Sequence, residues 1–273
     1  LPSHWLNAAL KGIVEGVTEF LPISSTGHLV LVNDLLPLTN DPTRVKQLDN
    51  LFNLVVQFPA ILAVMLLYRA RLLESARGIP RRPESRRFWF ALFIAFLPLA
   101  VTGVVFKNVI EEKLLNSFVV ACALIAGGVV LLFVERFFKT DRVTRAEDVT
   151  LGNAFVIGLA QCLALIPGTS RSAATIVGGR MLGLSRAAAS EFSFFLAIPV
   201  LGGAFVYKLA KEFHSIQWAT DGPLLLVGSL TAFFSALLVV SLFIRFLEKH
   251  SLAVFGWYRI VLGILVLIFS KQA

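Results

Sequence analysis

The chain has 273 residues, 57% of them apolar and only 15% charged, with a mean hydropathy of +0.80. A soluble domain carries roughly 25% charged residues, and one of this length could not hide so much apolar surface within itself; an ordinary soluble protein is excluded, and a bilayer is the expected solvent. The net charge of +8 does not indicate nucleic acid, because the arginines crowd one stretch (Arg69, Arg71, Arg77, Arg81, Arg82, Arg86, Arg87) without aromatic interleaving.

In chain order, the first apolar segment, about 6–36, is broken at Leu21-Pro22-Ile23-Ser24-Ser25-Thr26-Gly27. Leu1 to Leu10 lacks the pattern of a cleavable signal peptide. Apolar runs able to cross roughly 30 Å of hydrocarbon follow at about 51–68, 88–106 and 117–134. A second broken segment, about 151–184, is interrupted at Ile166-Pro167-Gly168-Thr169-Ser170-Arg171-Ser172, and further runs lie at about 187–207, 223–244 and 252–269. Proline removes a backbone donor and disfavours helix just before it. Irregular backbone at membrane depth survives only where protein or a wet cavity satisfies it. The predicted fold is therefore an all-α polytopic membrane protein, a single domain over 1–273, with six transmembrane helices and two re-entrant helix hairpins. Cys122 and Cys162 lie in apolar stretches without metal-site spacing and predict neither a disulfide framework nor a zinc site.

Charge orients the chain. With 69–87 cytoplasmic, as the positive-inside rule requires, and 151–184 re-entering without crossing, fifteen Lys/Arg fall inside. Eight fall outside: Lys11, Arg44, Lys46, Lys107, Lys113, Lys208, Lys211 and Lys271. A single crossing by 151–184 would weaken this bias. The halves also resemble each other: the run from Gly12 to Ser25 aligns, with one gap, on Gly158 to Ser170. Three crossings separate the copies, so repeats at about 6–137 and 151–270 are expected to be inverted, with a site near the midplane where the breaks meet.

The residues at those breaks carry chemistry. Glu15 and Glu19 are four apart, so both carboxylates project from one helical face; two anions side by side in an apolar segment want a cation, and hard oxygens suit Mg²⁺ or Ca²⁺. The bland alternative is a half-solvated pair bracing the hairpin. Ser24, Ser25 and Thr26 at a helix start form a phosphate cradle; the bland alternative is a plain helix cap, and one hydroxyl is expected to cap. His28, three residues after Ser25, is placed to assist a nucleophile. Arg171 offers a guanidinium fork matched to phosphate, or a salt bridge to Glu15 or Glu19; Ser170 adjoins it and Thr175 shares its face. Asn53, Gln57 and Gln161 are expected to be helix–helix glue, Arg259 to snorkel to the interface, and Ser185-Arg186 with Glu191 to form a cap and interface, with Glu191 kept as a lesser site candidate. His4, His214 and His250 carry no signal.

At these residues the chain resembles the bacterial undecaprenyl-diphosphatases of the bacitracin-resistance type. Glu15-Gly-Val-Thr-Glu19-Phe-Leu-Pro-Ile-Ser-Ser-Thr-Gly-His28 is similar to that family's first signature, and Pro167-Gly-Thr-Ser-Arg-Ser-Ala-Ala-Thr175 to its second. Ser185-Arg186, Phe192-Ser193-Phe194 and Tyr258-Arg259 also fit, and the likeness covers essentially the whole chain. The resemblance implies hydrolysis of undecaprenyl diphosphate to undecaprenyl phosphate, the lipid carrier recycled in cell-wall synthesis, with a divalent cation. It also implies bacitracin resistance on overproduction and a site opening to the periplasmic side of the inner membrane. Carried over, Glu15, Glu19, Ser25, His28 and Arg171 are the functional residues; from the sequence itself, Ser24, Thr26, Ser170, Arg171 and Thr175 are expected to contact the phosphate. Ser25 is the expected nucleophile with His28 or Glu19 as base; His28 as nucleophile stays open. The partners are the polyprenyl lipid and the membrane, with no nucleic acid, and a homodimer is admitted without being fixed. The rival reading is a polyprenyl-phosphate flippase using the same charges, which would need no nucleophile; a structural scaffold would leave the buried charges unexplained.

Overall fold

The structure, a computed structural model, describes residues 2–33, 35–106, 113–114, 116–213 and 216–269. Lys107, His214 and Lys271 lie outside the described residues. Among the described residues eleven α-helices form: α1 (Pro2–Thr18), α2 (Ser25–Asn33), α3 (Val45–Leu67), α4 (Arg69–Gly78), α5 (Pro83–Val105), α6 (Ser117–Phe137), α7 (Leu151–Gln161), α8 (Arg171–Met181), α9 (Arg186–Glu212), α10 (Trp218–Lys249) and α11 (Ala253–Phe269). Helices α3, α5, α6, α9 and α10 are long and apolar enough to cross a membrane. The expected sixth span, α11, is apolar but has 17 described residues. The protein is all-α and multi-pass. Helices α3, α5 and α10 begin about five residues before their apolar segments: α5 begins at Pro83, whose fixed φ suits a first turn. The arginine-rich stretch is correspondingly more ordered than a plain loop, since it contains α4 and the head of α5.

Both broken segments begin and end at one end of the molecule, as a re-entrant hairpin must. At the first, His4 Nδ1 lies 3.1 Å from the Pro37 carbonyl oxygen, and Asn7 Nδ2 donates to that oxygen at 2.8 Å. At the second, Val143 pairs with Leu184 in an isolated bridge, and the Ser185 N–H donates to Val143 O. Ion pairs then gather the arginine-rich end: Arg71 bonds both Glu147 and Glu191, Arg180 bonds Asp141, and Arg186 bonds Glu135. Glu191 is thus an interface residue, and Ser185 caps α9 by accepting from Ala188 N. Arg44 with Asp221 marks the opposite end.

The first arms of the hairpins are seated by glycine. A Cβ on Gly12 would lie 2.3 Å from Gly228 O of α10, and one on Gly158 would lie 2.5 Å from Ala95 O of α5. Only a residue without a side chain permits such backbone contact. Each hairpin is therefore locked to a long helix from the other half of the chain: α1 packs on α10, and α7 on α5.

Candidate active site

The hairpin breaks turn on two serines held at positive φ, Ser24 (72°) and Ser170 (71°). Such backbone costs about 1–3 kcal/mol for a residue other than glycine and persists only where surroundings enforce it. Both serines cap the helices that follow: Ser24 Oγ accepts from Gly27 N at 3.3 Å, and Ser170 Oγ from Ala173 N at 3.2 Å. These two serines fix the register of the halves. They are 146 positions apart, as are Gly12 from Gly158 and Glu15 from Gln161, so the alignment needs no gap. The prolines, which suggested the gap, sit one position out of step.

The breaks are tied to each other directly. Ser172 Oγ donates to Leu21 O at 2.8 Å, and Arg171 Nη2 donates to Glu19 Oε1 at 3.2 Å. Arg171 is steadied by Nη1 donating to Ser193 O at 3.0 Å and by the face of Phe20 beneath its guanidinium. Phe20 in turn packs edge-to-face on Phe194 at 5.5 Å, which sets the direction of the adjoining Glu19. Glu19 accepts on its other oxygen from Ser25 Oγ at 2.9 Å. Serine, carboxylate and guanidinium form a continuous chain across the two halves.

These groups line a cavity of about 130 Å³ with Ser24, Thr26, Ser170, Gly168 and Gln57. Because α2 and α8 both start on this cavity, their leading N–H groups and dipoles favour an anion there. Behind it lies Glu15, fully buried; neither of its oxygens has a hydrogen bond of normal geometry, though Glu19 and Gln57 lie alongside. A buried carboxylate without a donor is a natural ligand for a hard divalent cation. Among the described residues no three His, Cys, Asp or Glu side chains converge, so the remaining ligands would come from phosphate oxygens or amides such as Gln57.

Besides Glu15, two expected members of the site do not line the cavity. His28 Nδ1 lies 2.7 Å from Ser24 O, and Nε2 lies 2.6 Å from the Tyr258 hydroxyl, whose ring stacks on the imidazole. With Nδ1–H donating to the carbonyl and Nε2 accepting from the hydroxyl, both nitrogens are engaged and His28 braces the Ser24 turn. Thr175 is buried, its hydroxyl donating to Arg171 O at 2.9 Å and lying within hydrogen-bond distance, 2.7 Å, of Ser193 Oγ. It supports the element that aims Arg171.

Arg259 does not snorkel. It is fully buried and donates to five backbone carbonyls: Pro22 O of the first break, Gly168 O and Thr169 O of the second, and Ala123 O and Leu124 O of α6. A Cβ on Gly127 would lie 2.3 Å from Nη2, so a glycine in α6 makes room for the guanidinium. Gln57, expected as glue, reaches the cavity. Its signal was available: Asp49, Asn53 and Gln57 step along α3 at the same interval of four as Lys11 and Glu15 on α1 and Glu19 just past its end, and Lys11 bonds Asp49 at 2.6 Å.

Residues 8–265 match the family described as bacitracin resistance protein BacA. The chain belongs to that family. Among its relatives, an undecaprenyl-diphosphatase of Ectopseudomonas mendocina is 46% identical over 260 residues, covering 95% of this chain and 92% of the relative. One of Aromatoleum aromaticum is 47% identical with the same coverage. An undecaprenyl-diphosphatase 2 of Shewanella oneidensis is 45% identical over 267 residues, 96% of this chain and 97% of the relative. Family membership spans both hairpins and every helix that lines the cavity.

Proposed function

We propose that this chain hydrolyses undecaprenyl diphosphate to undecaprenyl phosphate and inorganic phosphate, with Ser25 as nucleophile and Glu19 as its base. The family and the relatives' names support the reaction. The residue roles rest on one observation: Ser25 Oγ donates to Glu19 while Arg171 holds that carboxylate's other oxygen, all on a cavity headed by two helix starts.

Ser25 Oγ bonds to the terminal phosphorus as its proton passes to Glu19. The anhydride P–O bond breaks, and undecaprenyl phosphate leaves with the electron pair, taking the proton from Glu19. Water then attacks the phosphoserine; Glu19 accepts its proton and returns it to Ser25 Oγ as the P–Oγ bond breaks. Arg171 and the leading N–H groups of α2 and α8 stabilise charge on the phosphoryl oxygens, the main requirement of phosphoryl transfer. A divalent cation, Mg²⁺ or Ca²⁺, would be held by Glu15 and Glu19 with the diphosphate and would neutralise charge in place.

The arginine-rich end is assigned to the cytoplasm of a bacterial inner membrane by the positive-inside rule, and the active site to the periplasmic side. Overproduction would then confer bacitracin resistance, because that drug sequesters the diphosphate. Purified protein in detergent, where transport is impossible, releases phosphate from undecaprenyl diphosphate, and an acid quench leaves acid-stable label on Ser25. Acid-labile label on His28 overturns the assignment, and absence of release overturns the reaction.

A further inference from the structure

A second cavity, of about 530 Å³, lies between α3 and α9. Gln57 lines both it and the catalytic cavity, so the two share a wall. From Gln57 the lining residues of α3 run through Asn53 and Asn50 to Lys46, eleven residues or about 16 Å along a helix axis. On α9, Leu201 faces the catalytic cavity, while Lys208 and Lys211 line the second one. The groove therefore leads from the phosphate cradle along a ladder of neutral amides to a rim of three exposed lysines. None of the three makes an ion pair among the described residues; Glu212 is the one acid on this rim.

We propose that this groove is a second anion site, which receives inorganic phosphate as it leaves the catalytic cavity, with Lys46, Lys208 and Lys211 as its cationic rim. The inference rests on the hydrolase reading, since only hydrolysis produces a small, multiply charged ion at Ser25. That ion has no tail and cannot leave through lipid, whereas the other product remains in the bilayer. Release needs sites attractive enough to draw the ion off Arg171 and weak enough to let it go. Asn50, Asn53 and Gln57 supply uncharged donors along the way. Lysine ammoniums hold phosphate as hydrated point charges without the bidentate fit that Arg171 offers.

The test uses full-length protein in detergent and inorganic phosphate as the probe. Formation of undecaprenyl phosphate is measured against added phosphate for the wild type and the triple variant Lys46→Gln, Lys208→Gln, Lys211→Gln. The inhibition constant for phosphate rises about fivefold in the triple variant, the scale expected for three partly solvated charges, while Lys249→Gln at the opposite end of α10 leaves it unchanged. Independently of turnover, Asn50→Cys is modified with an anionic methanethiosulfonate and followed by mass at that position. Phosphate slows the modification when the lysines are present and does not when they are replaced. An unchanged inhibition constant, or a change confined to KM for the lipid, overturns the proposal, as does modification indifferent to phosphate. If the wild type forms no undecaprenyl phosphate, the hydrolase reading fails, and the modification experiment still decides whether the groove binds the anion.

Discussion

Arg259 offers the sharpest measure of how the two hairpins are held. Its guanidinium spends five N–H···O contacts, from 2.8 to 3.4 Å, on carbonyls of both breaks and of α6. Those carbonyls of the breaks lie outside regular helix and have few other donors. In Arg259→Lys an ammonium keeps the charge but has three donors on one centre, so at least two carbonyls lose their partner. A charge-assisted hydrogen bond is worth about 1.5 kcal/mol or more in net stability, giving a loss of about 3 kcal/mol. Interhelical bonds in membranes average nearer about 0.6 kcal/mol, which sets a floor near about 1 kcal/mol. For a chain of this size the larger figure corresponds to a fall in Tm of about 6–12 °C, read by tryptophan fluorescence in detergent. Activity should suffer further, because a displacement of about 1 Å between Ser25 and Arg171 costs on the order of a hundredfold in rate. A snorkelling arginine would tolerate lysine. If Arg259→Lys matches the wild type in both Tm and kcat, the clamp is not what holds the breaks together.

Other substitutions separate neighbouring roles. His28→Gln should lower kcat by less than about tenfold, because the side chain braces Ser24, whereas loss of a general base costs about a hundredfold to ten-thousandfold; a loss in that range restores His28 to the chemistry. Thr175→Val should cost about 1–2 kcal/mol through its bond to Ser193 and leave KM for the lipid unaltered, and a raised KM would place the hydroxyl on the substrate. Gly12→Ala and Gly158→Ala should each destabilise by about 1–3 kcal/mol through overpacking, while Gly152→Ala, whose Cβ would meet nothing within 4 Å, should not. Equal Tm values for the three would show that the hairpin arms can shift to accommodate a methyl group.

Much of this was legible in the sequence because the signals are local. Proline and small polar residues inside apolar runs mark the breaks, and paired carboxylates at helical spacing mark the face that turns inward. What escaped depends on contacts between distant parts of the chain. Arg259 stands two turns into an apolar helix, where it looks like a residue reaching for the interface; its partners are 90 to 237 positions away. His28 follows Ser25 closely enough to suggest catalysis, yet its second nitrogen is claimed by Tyr258, 230 residues on. Polarity inside the membrane located the site, while the direction of each side chain was set by packing that one sequence does not display.

The matched register shows why two similar hairpins yield one site. A shift of 146 positions sets Ser24 on Ser170, and both adopt the same strained turn, so the backbone device is shared. The side chains then diverge. The same shift sets Glu15 against Gln161, Glu19 against Leu165, and Ser25 against Arg171. Two copies of the first break would bring four carboxylates together with no cation, and two copies of the second would bring two guanidiniums together with no base. Like charges at such range repel strongly where water is scarce. Division of labour between the halves is what lets the breaks touch: one carries the acids and the Ser25 hydroxyl, the other carries the fork that pairs with Glu19. Gln161 keeps the shape of Glu15 without its charge, fully buried and also without a hydrogen-bond partner among the described residues. Gln161→Glu would thus bury a further carboxylate without a partner, and it should destabilise the protein by about 1–3 kcal/mol or more, read as a fall in Tm.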